Sequence, residues 1–205
     1  MDELSKLMNR LTAEGEGSPQ GKDRHSKMPI FCEAKESDTF SCVAPIIGQI
    51  GPISDYYGLL SALEFANEKS VIRILLDTPG GRVDTSVVLA NAICCTKATV
   101  IGVATGQVMS SASTFIFPAC KQFEIRAGSR FMFHSTLQGQ QGKSLAIRDS
   151  TMSVIEYIKQ QLEKVINLGM LTAEELDKIM GTKATVFHSG QVIKARMQQK
   201  GLAVT

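Results

Sequence analysis

The sequence predicts an α/β domain with a mainly parallel sheet. Continuous apolar runs typical of buried strands cover residues 42–50, 71–76 and 99–104. Segments with helical spacing of their apolar residues separate these runs, and strands that alternate with helices in this way pair in parallel. The composition agrees with a folded domain, because 43% of the 205 residues are hydrophobic and 20% are charged, close to globular averages.

Helical segments follow these strands. The first is expected to begin at Ser54 or Asp55, both good capping residues, and to run to about Glu68. The next two cover residues 83–93 and 110–119. Each helix thus connects one strand to the next, as parallel pairing requires.

The second half of the chain continues this pattern, with a strand–turn–strand in place of one helix. The strand–turn–strand and three further helices are predicted, in order, at residues 122–134, 144–167, 172–180 and 189–200. Thr172 lies at the cap of the third of these segments, and Glu175 lies at its capping-box position. The glycine-rich stretch 138–143 is predicted to be an exposed strand or a loop.

Two regions differ in composition. Residues 14–27 are rich in glycine, serine, proline and charge, which is typical of a flexible linker. We therefore predict a flexible N-terminal segment over residues 1–27 and a folded domain over residues 28–205. The alternatives for the segment are a removable propeptide and a helix that docks to a partner.

Charge, hydropathy and cysteine content exclude several classes of protein. A net charge of +2 with scattered basic residues gives no sign of nucleic-acid binding, and no apolar run is long enough to cross a membrane. The charged N-terminus lacks the apolar core of a secretory signal. The five cysteines include no C-x-x-C pair, so we expect reduced thiols in a cytoplasmic protein rather than disulfides or a zinc site.

Two strand–turn–helix junctions are candidate sites, since α/β folds bind ligands where strands end. One is the turn at residues 77–81, where paired glycines let backbone N–H groups approach a ligand. The other presents the Ser110 hydroxyl at a helix start, with His134 at a strand end as its candidate base. The alternatives are a tight turn, N-capping by the serine and a structural histidine. We interpret His188 as structural.

Four segments in order resemble one family, the proteolytic subunit of caseinolytic protease (ClpP). Residues 74–93, ILLDTPGGRVDTSVVLANAI, resemble its S-P-G-G segment, and residues 106–118, GQVMSSASTFIFP, resemble its nucleophile motif G-Q-A-A-S-M-G-A. Residues 127–134, AGSRFMFH, are similar to its P-N-S-R-V-M-I-H segment. Residues 139–142, GQQG, are similar to the glycine-rich handle that follows. The resemblance covers about four-fifths of the chain.

The resemblance implies a function and a site. It implies a crotonase-like fold of stacked β-β-α units, stacked homo-oligomeric rings and hydrolysis of peptide bonds without a metal or other cofactor. Ser110 aligns with the nucleophile and His134 with the general base. The backbone N–H groups of Gly81 and Ser111 align with the oxyanion donors.

The sequence departs from the family at three places. Thr185 stands where the triad acid is expected, and Ala112 replaces a glycine of the nucleophile loop. Residues 1–27 have no counterpart of the amphipathic helix that lines the ring entrance, so docking to an unfoldase ATPase is uncertain. These departures indicate a divergent member, of the kind that bacteriophages encode near capsid genes.

Other functions stay open at this point. Loss of the acid favours a ring-forming relative with weak or no activity that serves as a scaffold or regulator. An acyl-CoA enzyme of the related crotonase fold is disfavoured, because the nucleophile loop carries no acidic residue. A serine–lysine peptidase would use Lys183, which nothing in the sequence places beside Ser110.

Overall fold

The computed structural model describes residues 28–34, 39–135, 157–182 and 184–205. Expectations for residues 1–27, for the stretch 138–143 and for the first part of the helix predicted at 144–167 lie outside the described residues. Among the described residues no helix is long and apolar enough to span a membrane. The same residues contain no group of three or more His, Cys, Asp or Glu side chains placed to hold a metal ion.

One seven-stranded sheet forms the centre of the described chain, in the order β1-β2-β3-β4-β6-β7, with β5 also paired to β4. The strands are β1 (Phe31–Ala34), β2 (Phe40–Ile47), β3 (Val71–Thr78), β4 (Thr99–Met109), β5 (Gln122–Ile125), β6 (Arg130–Phe133) and β7 (Val186–Ser189). Strands β2, β3 and β4 pair in parallel, and both β5 and β6 are parallel to β4. The predicted mainly parallel sheet is therefore confirmed. The short edge strands β1 and β7 are antiparallel and were not predicted.

The helices agree with the predicted order. They are α1 (Tyr57–Phe65), α2 (Val83–Cys95), α3 (residues 157–167), α4 (Ala173–Thr182) and α5 (Gly190–Gln199). The predicted capping box of α4 is present, because Thr172 N–H donates to Glu175 Oε2 at 2.8 Å and Glu175 N–H donates to Thr172 Oγ1 at 3.1 Å. The predicted cap of α1 is wrong: a 3₁₀ turn, Ile53–Tyr56, precedes that helix without a side-chain cap.

The core lies against one face of the sheet. On β3 the alternate residues Ile72, Ile74 and Leu76 are wholly buried, as the two-residue period of a strand requires. The opposite face carries Arg73, which donates from Nη1 and Nη2 to the carboxylate of Glu124 on β5 at 2.5 and 2.6 Å. The apolar run at 71–76 therefore contributes one fully buried face and one partly buried face.

Cysteine pairing differs from the prediction. Cys32 on β1 and Cys42 on β2 form a disulfide, so the expectation that all thiols are reduced is wrong for this pair. The antiparallel register sets these two residues directly opposite each other. This register was hidden from the sequence because β1 has only four residues and no clear alternation. Cys94, Cys95 and Cys120 are free.

Candidate active site

The two candidate catalytic side chains meet at the carboxyl ends of two neighbouring strands. Ser110 follows β4 and His134 follows β6, and these parallel strands are paired up to Met109 and Met132. Ser110 is the first residue after β4 and His134 the first after β6, so both emerge at the carboxyl edge of the sheet, with Phe133 opposite Ser110 by register. Ser110 Oγ lies 2.7 Å from His134 Nε2, so a pair that is 24 residues apart in sequence is in direct contact.

The backbone of Ser110 adopts a conformation that non-glycine residues rarely use. Its φ is 55°, and it is the one non-glycine residue with positive φ among those described. Its N–H donates to Met132 O at 2.9 Å, and its carbonyl accepts from Ser113 Oγ, also at 2.9 Å. These bonds hold the strained turn in place. Because the hydroxyl faces His134, it does not serve as a helix cap.

The segment after Ser110 is wound differently from the predicted α-helix. Residues Ala112–Ile116 form a π-helical turn, and Phe117–Ala119 continue it as a single α-turn. Phe117 N–H donates to Ala112 O, five residues earlier. A π-turn accommodates one more residue than an α-turn, and such turns occur often at functional sites. Helical periodicity in the sequence does not distinguish the two windings.

The imidazole of His134 is oriented by a backbone carbonyl. His134 Nδ1 lies 3.0 Å from Ser135 O, and a carbonyl can only accept a hydrogen bond. The proton of the neutral ring therefore lies on Nδ1. Nε2 is left as an acceptor that faces the Ser110 hydroxyl, which is the arrangement that a general base requires.

Thr185, which aligns with the triad acid, follows the same edge by register but makes no hydrogen bond to the histidine. The ladder between β6 and β7 ends at the pair Phe133 and Val186, so one further step of the same register would bring Thr185 opposite His134. Thr185 is exposed, and no hydrogen bond joins it to His134 in the described part of the chain. The carboxylate of Asp177 is exposed on α4.

The glycine turn after β3 lies directly beside the serine. Gly80 has φ of +92°, and a Cβ added there would lie 2.7 Å from both Met109 O and Ser110 Cβ. A Cβ at Gly81 would collide with the backbone of Ile50. Gly80 N–H donates to Thr78 Oγ1 at 3.0 Å. Only glycine allows this close approach of the two loops.

One aligned oxyanion donor already has an acceptor. Gly81 N–H donates to the side-chain Oγ of Ser111 at 3.1 Å, and Ser111 is wholly buried. Sequence reasoning considered only the backbone N–H of Ser111 and missed its hydroxyl. The sequence signal for this hydroxyl was that Ser111 stands where the family's nucleophile motif has methionine.

His188 lies in a different cluster. Its Nε2 lies 3.0 Å from Glu175 Oε1 and 3.2 Å from Arg196 Nη1, so it joins β7 to α4 and α5. Burial by itself raises the pKa of Glu175, but hydrogen bonds from Arg196 and Thr172 N–H and the charges of His188 and Arg196 outweigh it and lower that pKa. This geometry agrees with a structural role for His188.

The fold and the site define a mixed α/β protein that holds a serine–histidine pair beside a glycine turn at the carboxyl edge of a parallel sheet. The sequence model of the family described as Clp protease matches residues 53–184, more than half of the chain. The chain therefore belongs to the Clp protease family, which makes it a peptidase in general terms and suggests oligomeric assembly and protein substrates. No curated protein sequence matches the chain at a significant level.

Proposed function

We propose that this protein is a Clp-type serine endopeptidase that works through a Ser–His dyad. Ser110 Oγ attacks the carbonyl carbon of a peptide bond while His134 Nε2 takes the hydroxyl proton. The same nitrogen then donates this proton to the leaving amine, which leaves an ester between Ser110 and the acyl half of the substrate. Water attacks the ester with His134 again as base, and the serine is released with its proton.

The contact between Ser110 Oγ and His134 Nε2 at 2.7 Å carries this proposal. Nucleophile and base are within hydrogen-bonding distance, and the Ser135 carbonyl holds the ring in the tautomer that leaves Nε2 free to accept. The backbone N–H groups of Gly81 and Ser111 are the proposed donors to the oxyanion.

The same geometry predicts a slow enzyme. A triad aspartate stabilises the imidazolium that forms during attack, and replacing it by a neutral amide in trypsin lowers kcat by about 10⁴. The Ser135 carbonyl orients His134 but carries no charge. Thr185 is also neutral, and it is exposed.

The wider setting follows from family membership and stays a proposal. We propose stacked homo-oligomeric rings that enclose the site. The proposed substrates are proteins or peptides. A cytoplasmic location is also proposed, although the Cys32–Cys42 disulfide argues against it, because disulfides are rare in reducing cytosol.

Fluorophosphonate labelling tests the proposal. We expect one label per chain, located on Ser110 by mass spectrometry of peptides, together with slow cleavage of a denatured protein substrate. Ser110→Ala should abolish both. Ser129→Ala is the matched control, because it removes a buried hydroxyl that donates to Arg126 O outside the site. Unchanged hydrolysis by purified Ser110→Ala protein would refute the assignment.

A scaffold without activity is the second candidate, favoured by one observation. In the described part of the chain, no carboxylate forms a hydrogen bond or ion pair with His134. The labelling experiment separates the two functions, since a scaffold would assemble into oligomers yet react with the probe no faster than Ser110→Ala does.

A further inference from the structure

The hydrogen bond between Gly81 N–H and Ser111 Oγ occupies a group that the proposed reaction needs. The distance is 3.1 Å, within the normal range for an N–H···O bond. Ser111 has no exposed surface, so neither its hydroxyl nor its own N–H faces solvent. Ser111 therefore involves both aligned oxyanion donors. Its own backbone N–H is one of them, and its side-chain Oγ accepts the hydrogen bond of the other, Gly81 N–H.

We propose that the Ser111 side chain is a positioning residue that closes the oxyanion site in the resting protein. Its hydroxyl oxygen takes the hydrogen bond of Gly81 N–H that the substrate oxygen would otherwise accept. Substrate must therefore displace it before the oxyanion can be stabilised. This inference rests on the proposed function, and it assigns a rate-setting role to a side chain that the Ser–His mechanism does not use.

The glycine turn does not need Ser111 to keep its position. Gly80 is bonded on both sides, since its N–H donates to Thr78 Oγ1 at 3.0 Å and its carbonyl accepts from Ile50 N–H at 2.9 Å. Arg82 N–H donates to Ile50 O at 3.0 Å. The residues before and after Gly81 are thus held by other bonds, so loss of the Ser111 hydroxyl frees the Gly81 N–H without moving the turn.

A serine side chain can leave this position by one rotation. Its Oγ moves about the single Cα–Cβ bond between staggered rotamers, while the backbone of Ser111 stays where the strained turn of Ser110 holds it. The amount that this competition adds to the activation barrier is then the net free energy of one neutral hydrogen bond. Removing that competition corresponds to an increase in rate of about three- to tenfold.

Ser111→Ala and Ser111→Gly both remove the hydroxyl and test the proposal. The quantities to compare are kcat and KM with a fluorogenic peptide, the rate of fluorophosphonate labelling and the affinity of a peptide boronate, whose tetrahedral adduct mimics the oxyanion. The matched control is Ser86→Ala, which removes a buried hydroxyl that donates to Arg82 O beside the same turn. Circular dichroism checks that each variant is folded.

The expected result is a rise of about three- to tenfold in kcat, in labelling rate and in boronate affinity, with KM changed less than kcat, because the lost competition matters only where the oxyanion develops. Ser86→Ala should match wild type. A fall, or no change, in kcat and boronate affinity for a folded hydroxyl-free variant overturns this proposal while Ser110 labelling still stands. If wild type is labelled no faster than Ser110→Ala, the proposed function fails, and the inference that rests on it fails with it.

Discussion

Ser110 is held in a conformation that a serine adopts only when its surroundings impose it. Its positive φ is maintained by hydrogen bonds at both its N–H and its carbonyl. The turn points the hydroxyl at His134 and brings Gly80 against the serine Cβ. At this scale the site depends on the close packing of two loops, so a single added atom should lower activity.

Gly80→Ala tests this packing. The new Cβ would lie 2.7 Å from Met109 O and Ser110 Cβ, so Ser110, the proposed nucleophile, must move, and a displacement near 1 Å lowers activity by about 10². Gly48→Ala is the matched control, since Gly48 also has positive φ but nothing within 4 Å of its added Cβ. The control should lose roughly 1–2 kcal/mol of stability and keep its activity. Equal activities of the two variants in peptide hydrolysis would contradict the predicted contact.

Thr185→Asp tests whether residue 185 lies where a triad acid would contact His134. A carboxylate one register step beyond the Phe133–Val186 pair would stabilise the imidazolium of His134, so kcat should rise. The rising limb of the pH–rate profile should move to higher pH, because a nearby anion favours the protonated ring. Thr185→Ala should lower kcat far less than His134→Ala does. A folded Thr185→Asp protein with unchanged kcat and pH profile would show that the two residues do not meet.

At the scale of elements, three pieces of the C-terminal part are joined through one carboxylate. Glu175 caps α4 through Thr172 N–H, accepts hydrogen bonds from Arg196 of α5 and lies against His188 of β7. Its side chain is 17% exposed, so the charge is partly shielded from water. This cluster positions β7, the strand that begins at the edge where Ser110 and His134 lie.

Glu175→Gln should lower stability at neutral pH by about 1.5–3 kcal/mol, the usual range for hydrogen bonds to a charged group. Because the folded pKa of Glu175 is lowered, its contribution is present above the ordinary glutamate pKa and is lost as pH falls through the folded value. The difference between wild type and variant in urea unfolding should therefore shrink from pH 7 to pH 3. Glu174→Gln, which removes an exposed partner of Lys178, should stay within about 0.5 kcal/mol. A constant difference across this pH range would contradict the role of the charge.

At the scale of the whole molecule, family membership suggests an assembly. Native mass spectrometry should give a mass that is a multiple of the 22.2 kDa chain, and deletion of residues 138–143, which resemble the handle, should leave smaller assemblies. Ser110→Ala is the control, because loss of one hydroxyl should not change the number of chains in the assembly. A monodisperse monomer of the intact chain would contradict the proposed rings, and the site would then be open to solvent.

Most of the parallel sheet could be predicted from local pattern. Strands such as β3 are continuous and rich in branched residues, and Thr172 with Glu175 forms a cap whose signal spans only four residues. Short edge strands such as β7 carry too few residues for a periodic signal. The same limit hid the disulfide, since it depends on the register between β1 and β2.

The sequence by itself determined the order of the central strands and of most helices, the motifs around Ser110 and His134, and the family, because these depend on residue types and their spacing. Only the tertiary structure decided which atoms meet. It placed Ser110 beside His134 at neighbouring strand ends and turned His134 Nδ1 toward the Ser135 carbonyl. It also paired Gly81 N–H with the Ser111 hydroxyl. Contacts of this kind depend on strand register and side-chain rotamers, which are fixed only when distant parts of the chain pack together.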